Sequence, residues 1–393
     1  MICNSYQLQD VCSFIDYRGK TPPKTTSGVP LITAKIIKNG TILRPQEYIA
    51  LDYYDEWMRR GIPKKGSVVF TTEAPLGEVA QIKTGERLAF AQRVIILEPN
   101  PNVLSPNYLS YALQDKVLQE RIKARATGTT VIGIKASELK KVVIDLPPVD
   151  IQRSISSILR SFDDKIELNQ KINENLERQA QAFFQELFKD NASADWLTGT
   201  INDLGTVIGG STPSKAKPEY YTDHGIAWIT PKDLSVNKSK FITHGETDIT
   251  ELGLKNSSAT IMPKGTVLFS SRAPIGYIAI AAGKITTNQG FKSIVPNPEI
   301  GAAYVYYFLK HNLPIIEGMA SGSTFKEVSG STMKSVPAVI PDAKTLAEFN
   351  AFCIPVFAQQ QLLEEQNRSL IALRDSMLPE LMAGKIDVST VQA

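Results

Sequence analysis

Glu73 and Arg272 are the residues from which a chemical role can first be argued. They hold the same place in two copies of one loop, Thr71-Thr72-Glu73-Ala74-Pro75-Leu76-Gly77 and Ser270-Ser271-Arg272-Ala273-Pro274-Ile275-Gly276. A carboxylate can accept from the cytosine N4 amino group, and a guanidinium can donate to guanine O6 and N7. Two loops with a common frame and opposite charge at that position could read different bases. A tight turn with a solvated outer residue is the plainer alternative, and the shared Ala-Pro-x-Gly part has the composition of a structural turn.

A second repeated pattern is Thr127-Gly128-Thr129-Thr130 and Ser321-Gly322-Ser323-Thr324. Small hydroxyls and exposed backbone N–H groups suit phosphate oxygens, and Lys135 and Lys326 lie close by in sequence. The candidates on these segments and loops are Thr72, Thr129, Thr130, Ser271, Ser323 and Thr324. Cations recur around a Thr-Pro step: Arg18, Lys20 and Lys24 in the first copy, Lys215 and Lys217 in the second. Lys35 mirrors Lys232, and Gln92-Arg93 aligns with Gln289-Gly290. These groups could position phosphates, or simply form solvated charged faces. Tyr53, Tyr54 and Trp57 could stack on bases, but core packing is the better reading.

Catalytic motifs are sparse. Asp145-Leu146-Pro147-Pro148-Val149 shares residues with the motif by which amino-methyltransferases hold a flipped base, but the order is wrong, the aromatic is missing, and the stretch opens a helix. No Gly-rich loop suited to S-adenosylmethionine follows a strand, and there is no Walker loop. Pro341-Asp342-Ala343-Lys344 has the acid and lysine of a nuclease site without a second acidic partner. His224, His244 and His311 and the cysteines Cys3, Cys12 and Cys353 lack metal-ligand spacing. A base-modifying enzyme needs a cofactor site and a base pocket. The expectation is a chain that is not an enzyme and binds neither metal nor cofactor.

The elements that must position these residues are written twice in 393 residues. VPLITAK (29–35) matches IAWITPK (226–232), residues 62–80 match 262–279, 91–101 match 288–298, and 126–147 match 320–341. A period of about 195 residues means duplication of a whole domain. Short β-rich runs such as SVVF and RVIIL are separated by Gly and Pro, with helices expected over 106–125 and 301–317. Beyond each body, apolar residues step by threes and fours, the mark of a helical seam. The pairing positions are Ile155, Phe162, Asn169, Leu176 and Phe183, then Phe349, Val356, Leu363, Leu370 and Met377. Asn169 falls where the second copy has Leu363, and a polar residue on a seam can fix register. Pro355 predicts a break in the second helix, and Gly384 a stop.

The predicted fold is α/β (α+β): globules over 1–148 and 195–342, and helices over 149–190 and 343–385 that pair as an antiparallel coiled coil about an approximate two-fold. A 37-residue helix spans roughly 55 Å, which could set two DNA readers one to one and a half turns apart. Composition fits a soluble globular protein, with 42% apolar and 21% charged residues. A net charge of +3 neither requires nor excludes nucleic acid. Three unpaired cysteines suit a reducing cytoplasm. No signal peptide and no membrane-length apolar run is evident.

Over residues 1–385 the chain resembles the specificity (S) subunit of type I restriction-modification systems. The carriers are the duplicated globule, the segment ATGTT…LPPVDIQ, the helix with Ile166, Asn169 and Asn175-Leu176, and the last helix ending LRDSMLPELMAGKI. The entry to that helix, Leu346–Gln361, departs from the family pattern. The resemblance implies two target recognition domains, each reading half of a bipartite site in double-stranded DNA, with the helices setting the spacer. It implies two methyltransferase (M) subunits carrying S-adenosylmethionine, and motor-nuclease (R) subunits using ATP and Mg. Two rival classes are a stand-alone methyltransferase or nuclease, and a coiled-coil interaction scaffold without DNA binding.

Overall fold

The apolar runs become the central strands of two sheets, seen in a computed structural model that describes residues 3–322 and 326–388. The chain divides into two units. One holds the residues up to 166 with those from 369 onward, and the other holds 167–368.

In the first unit the strands are β1 (Asn4–Gln7), β2 (Cys12–Asp16), β3 (Val68–Thr72), β4 (Leu76–Gln81), β5 (Val94–Pro99) and β6 (Val143–Leu146). An antiparallel sheet runs in the order β2-β5-β3-β4, with Val94 opposite Thr71 and Ile95 opposite Phe70. All of β3 is buried, because the sheet has a core on each face. Phe70, Ile95 and Leu97 join Leu109 and Ile122 on one face, while Val69, Val94 and Ile96 join Leu31 and Phe90 on the other. A strand covered on both sides reads as an unbroken apolar run rather than an alternating one. β1 pairs with β6, which leads into the first long helix.

The second unit repeats the plan with β7 (Leu197–Thr200), β8 (Gly205–Gly209), β9 (Val267–Ser271), β10 (Ile275–Ala281), β11 (Lys292–Pro296) and β12 (Pro337–Ile340). Its sheet order is β8-β11-β9-β10, extended by Phe241–Ile242 parallel to β10, and β7 pairs with β12. The central hairpins share one irregularity: register shifts between Phe70 and Thr72, and between Phe269 and Ser271. Each helix expected over 106–125 and 301–317 is two helices. Asp115 restarts the first by accepting from Val117 N at 3.0 Å. In the second, Pro314, which has no N–H, lies at the start of Leu313–Gly318.

The long helices are α1 (Val149–Gln185), followed by a π turn over Glu186–Asp190, and α2 (Ala343–Met382). Contrary to the expected break, α2 runs through Pro355. The hydrogen bond that Pro cannot make falls on the exposed face at Ala351 and Pro355. The flanking Phe349, Cys353 and Val356 are buried in the core of the second unit and hold the helix there. Asp342 caps α2, accepting from Lys344 N and Thr345 N at 3.0 Å and from Trp196 Nε1 at 2.9 Å. These donors, Thr345 first, hold its carboxyl down at about 2. The acid that suggested a nuclease is a helix cap. Gly384, at φ +69°, follows the end of α2.

Within each unit the helix segments pair antiparallel. In the first, Arg374 Nη1 meets Asp163 Oδ1 at 2.6 Å. In the second, Asn169 Nδ2 donates to Asn367 Oδ1 at 2.9 Å and Phe183 packs on Phe352 with centroids 4.9 Å apart. The seam is not the continuous apolar stripe that its spacing predicts. Ile155 and Met377 merge into the core of the first unit, and Phe183, Phe349 and Val356 into that of the second. In the second unit Asn169, Asn173, Gln360, Gln366 and Asn367 form a polar layer. Phe162, Leu176 and Leu370 are half-buried and Leu363 is buried.

Candidate nucleic-acid interface

Three segments meet at the end of the sheet in the first unit. The Thr72 N–H and hydroxyl both donate to Arg93 O, at 2.8 and 3.1 Å. Ile134 N donates to Thr72 O at 2.9 Å. The third segment closes on itself through Thr127 N to Gly133 O at 2.8 Å and Gly133 N to Thr127 O at 3.0 Å. Thr129, Thr130, Val131 and Ile132 are exposed on that closed loop. At the junction, Arg93 Nε contacts Glu73 Oε1 at 3.1 Å.

The second unit builds the same junction. Ser271 N and Oγ donate to Gly290 O at 2.8 and 3.2 Å, and Val328 N to Ser271 O at 3.0 Å. Ser321 and Glu327 exchange backbone bonds at 3.0 and 2.8 Å. The candidates Ser323 and Thr324 fall within this segment and lie outside the described residues. Here the ion pair is Arg272 Nη1 with Glu327 Oε2 at 3.3 Å, and Lys292 approaches the other oxygen at 3.4 Å.

Thr72 and Ser271 therefore do not face a ligand as their sequence position suggested. Both are buried, and both hydroxyls are spent on backbone carbonyls. They tie the loops together from beneath. The Ala-Pro-x-Gly turn is structural in both copies: each Ala-Pro bond is cis, and Gly77 and Gly276 take φ of +91° and +94°. At these φ values a Cβ strains the backbone, so glycine is favoured at both turns.

The other candidates sort by place. Arg18 grips Asp16 through contacts of 2.6 to 3.1 Å. Those hydrogen bonds hold its guanidinium above its ordinary pKa against burial, and the Glu73 charge adds a smaller pull. In the second unit Lys215, Lys232, Arg272 and Gln289 line one cleft of about 700 Å³, with Trp228 and Tyr221 in its wall. Gln289 accepts from Thr212, and Lys232 pairs with Glu246 at 2.5 Å. Lys24 pairs with Glu47 at 2.8 Å and Lys217 with Glu219 at 3.7 Å. Lys20, Lys35, Lys135 and Lys326 are exposed. Tyr54 is buried and Trp57 Nε1 donates to Phe90 O at 2.9 Å, so these rings serve the core.

Sequence reasoning missed Glu327 and Lys292. The signal for Glu327 was its alignment with Gly133, which carries no side chain to suggest a charged partner.

Residues 3–178 and 193–363 match the model of the type I restriction modification DNA specificity domain. The chain belongs to that family. It is similar to the type I restriction enzyme HindI specificity subunit of Haemophilus influenzae, 23% identical over 402 residues, covering 82% of this chain and 87% of that one. It is 44% identical over 160 residues to the MjaIX specificity subunit of Methanocaldococcus jannaschii, a match spanning 40% of this chain and 37% of that relative. The fold is shared with the crystal structure of a type I restriction-modification S subunit from M. genitalium, at TM-score 0.63 and 17% identity over 97% of this chain and 96% of that one. The duplicated globules are thus two specificity domains of a type I restriction-modification specificity subunit. Among the described residues, no helix is long and apolar enough to cross a membrane.

Proposed function

We propose that residues 1–148 and 195–342 each read one half of a bipartite duplex-DNA site, and that residues 149–190 and 343–385 set the gap between the halves. The observation that carries this reading is the repeated three-segment junction. Its backbone bonds are the same in both units, while its charged groups differ. A constant frame whose charged groups sit on different segments can aim its readers at different positions in two half-sites.

The chain itself is non-catalytic in this reading and binds no cofactor. Adenine methylation belongs to two M subunits holding S-adenosylmethionine, and ATP- and Mg-dependent restriction to R subunits, all in the cytoplasm. Exposed apolar side chains on the long helices support partner docking. They are Leu168, Ile172, Ile354 and Leu362 in the second unit, and Ile371 and Leu373 in the first.

The test is to co-express the chain with its modification subunit and map N6-methyladenine. A split motif that vanishes without this chain is expected. A stable complex that adds no methylation would reject the reading. Lengthening both helices by matched heptads should widen the gap by a few base pairs, at about 1.5 Å per residue against about 3.4 Å per base pair.

A further inference from the structure

We propose that an arginine reads a guanine in each half-site, Arg93 in the first domain and Arg272 in the second, and that Glu73 and Glu327 are positioning residues rather than readers. This rests on the DNA-specificity reading above and changes what the junction reads. By sequence, Glu73 and Arg272 looked like equivalent readers of opposite chemistry. In the structure Glu73 is engaged by Arg93, and Arg272 by Glu327.

The acid and the base lie on different segments in the two domains. In the first domain the acid lies on the β3–β4 loop and the arginine just before β5. In the second, the arginine lies on the β9–β10 loop and the acid on the closing segment. Each empty place is a glycine: Gly133 aligns with Glu327, and Gly290 with Arg93. A Cβ on Gly133 would lie 3.0 Å from the Glu73 Cβ, so the missing side chain makes room for the acid. The common product is one half-exposed arginine beside one carboxylate, with side-chain exposures of 48% for Arg93 and 37% for Arg272; in the second domain Lys292 shares that carboxylate.

The backbone at Arg93 adds independent support. Gln92 and Arg93 both lie in the left-handed region, at φ +46° and +63°, which disfavours residues with a Cβ. Glycine would fit there without strain. The exposed Arg93 side chain does no core packing that would explain its place. Glu73 Oε1 lies at its Nε, so a bidentate acceptor would meet the terminal nitrogens of Arg93; in Arg272, where Glu327 engages Nη1, it would meet Nε and Nη2. Guanine O6 and N7 provide that acceptor in the major groove.

The experiment maps methylation by the complex of the full chain with its modification subunit. Arg93→Gly keeps a backbone that glycine adopts easily, so the variant should melt no lower than the parent. One specified G in one half-site should become degenerate, with discrimination falling roughly ten- to hundredfold. Arg272→Ala should do the same in the other half-site only. Arg93→Lys keeps the charge but not the fork, and should relax the same position. Glu73→Gln should weaken that preference without changing the base preferred.

An unchanged motif in Arg93→Gly would overturn the proposal. So would an equal loss of methylation at all sequences that Arg93→Lys restores, because that marks a phosphate contact. A new base preference in Glu73→Gln would make Glu73 the reader. Absence of any split motif with the parent chain would instead reject the underlying DNA-specificity reading.

Discussion

Glu177 on α1 and Lys240 in the second domain form a buried ion pair, with the Lys240 side chain only 6% exposed. Tyr307 donates to Glu177 at 2.9 Å, Lys310 approaches it at 2.7 Å, and Lys240 reaches Gln360 on α2 at 2.7 Å. One cluster thus joins the second globule to the helix segments of its own unit. Burial pushes the Glu177 carboxyl up, but Lys240 and Lys310 pull harder and leave it at about 2. Burial draws Lys240 below its ordinary value, against the pull of Glu177.

Removing the acid strands a buried cation, so Glu177→Gln should cost about 3 kcal/mol or more in denaturant unfolding. The pH dependence follows from the depressed carboxyl. Its contribution is complete above 4.5, declines as pH falls, and is gone near 2. The gap in stability between parent and variant should close over that window. A gap that persists at the acid end would mean the loss came from packing.

Thr72→Val and Ser271→Ala remove hydroxyls that donate to Arg93 O and Gly290 O, while the backbone bonds to those carbonyls remain. Each should cost about 1 kcal/mol and leave the methylated motif unchanged. A motif altered at constant stability would place these hydroxyls at the DNA.

Pro355→Ala should raise the melting temperature. The substitution restores a helix N–H on an exposed face, and an interior Pro costs about 3 kcal/mol before the flexibility it removes from the unfolded chain is counted. A net gain of about 1–2 kcal/mol is expected. A loss would show that α2 needs the proline where it stands.

The duplication was legible because both copies keep the Ala-Pro-x-Gly turn and the strands around it, whose apolar runs are buried on both faces. The same double burial hid the fate of Thr72 and Ser271. In a strand covered on both sides, no alternation marks which hydroxyls point inward. Arg272 was visible as a charge, but its partner Glu327 was not, because the register that pairs them is set by tertiary bonds between distant segments. Pro355 misled because local propensity cannot weigh the burial of Phe349, Cys353 and Val356 around it. Heptad spacing gave the helices. It could not show that the apolar stripe ends in two domain cores with a polar layer between Asn169 and Asn367.

That layer leads to a last prediction. Asn169 is fully buried, donates to Gln366 and Asn367 at 3.3 and 2.9 Å, and leaves its own Oδ1 without a partner. A buried acceptor left unpaired costs roughly 1–3 kcal/mol, which offsets what the two hydrogen bonds of Asn169 contribute. A polar residue on a helical seam penalises every register in which its partners are out of reach. The double variant Asn169→Leu with Asn367→Leu should therefore be at least as stable as the parent, yet less strict in register. If the helices set the gap between half-sites, methylation by the variant complex should spread over motifs whose gaps differ by a base pair or more, with both half-sites unchanged. A single, unaltered gap in a variant of equal stability would show that the domain contacts alone fix the register.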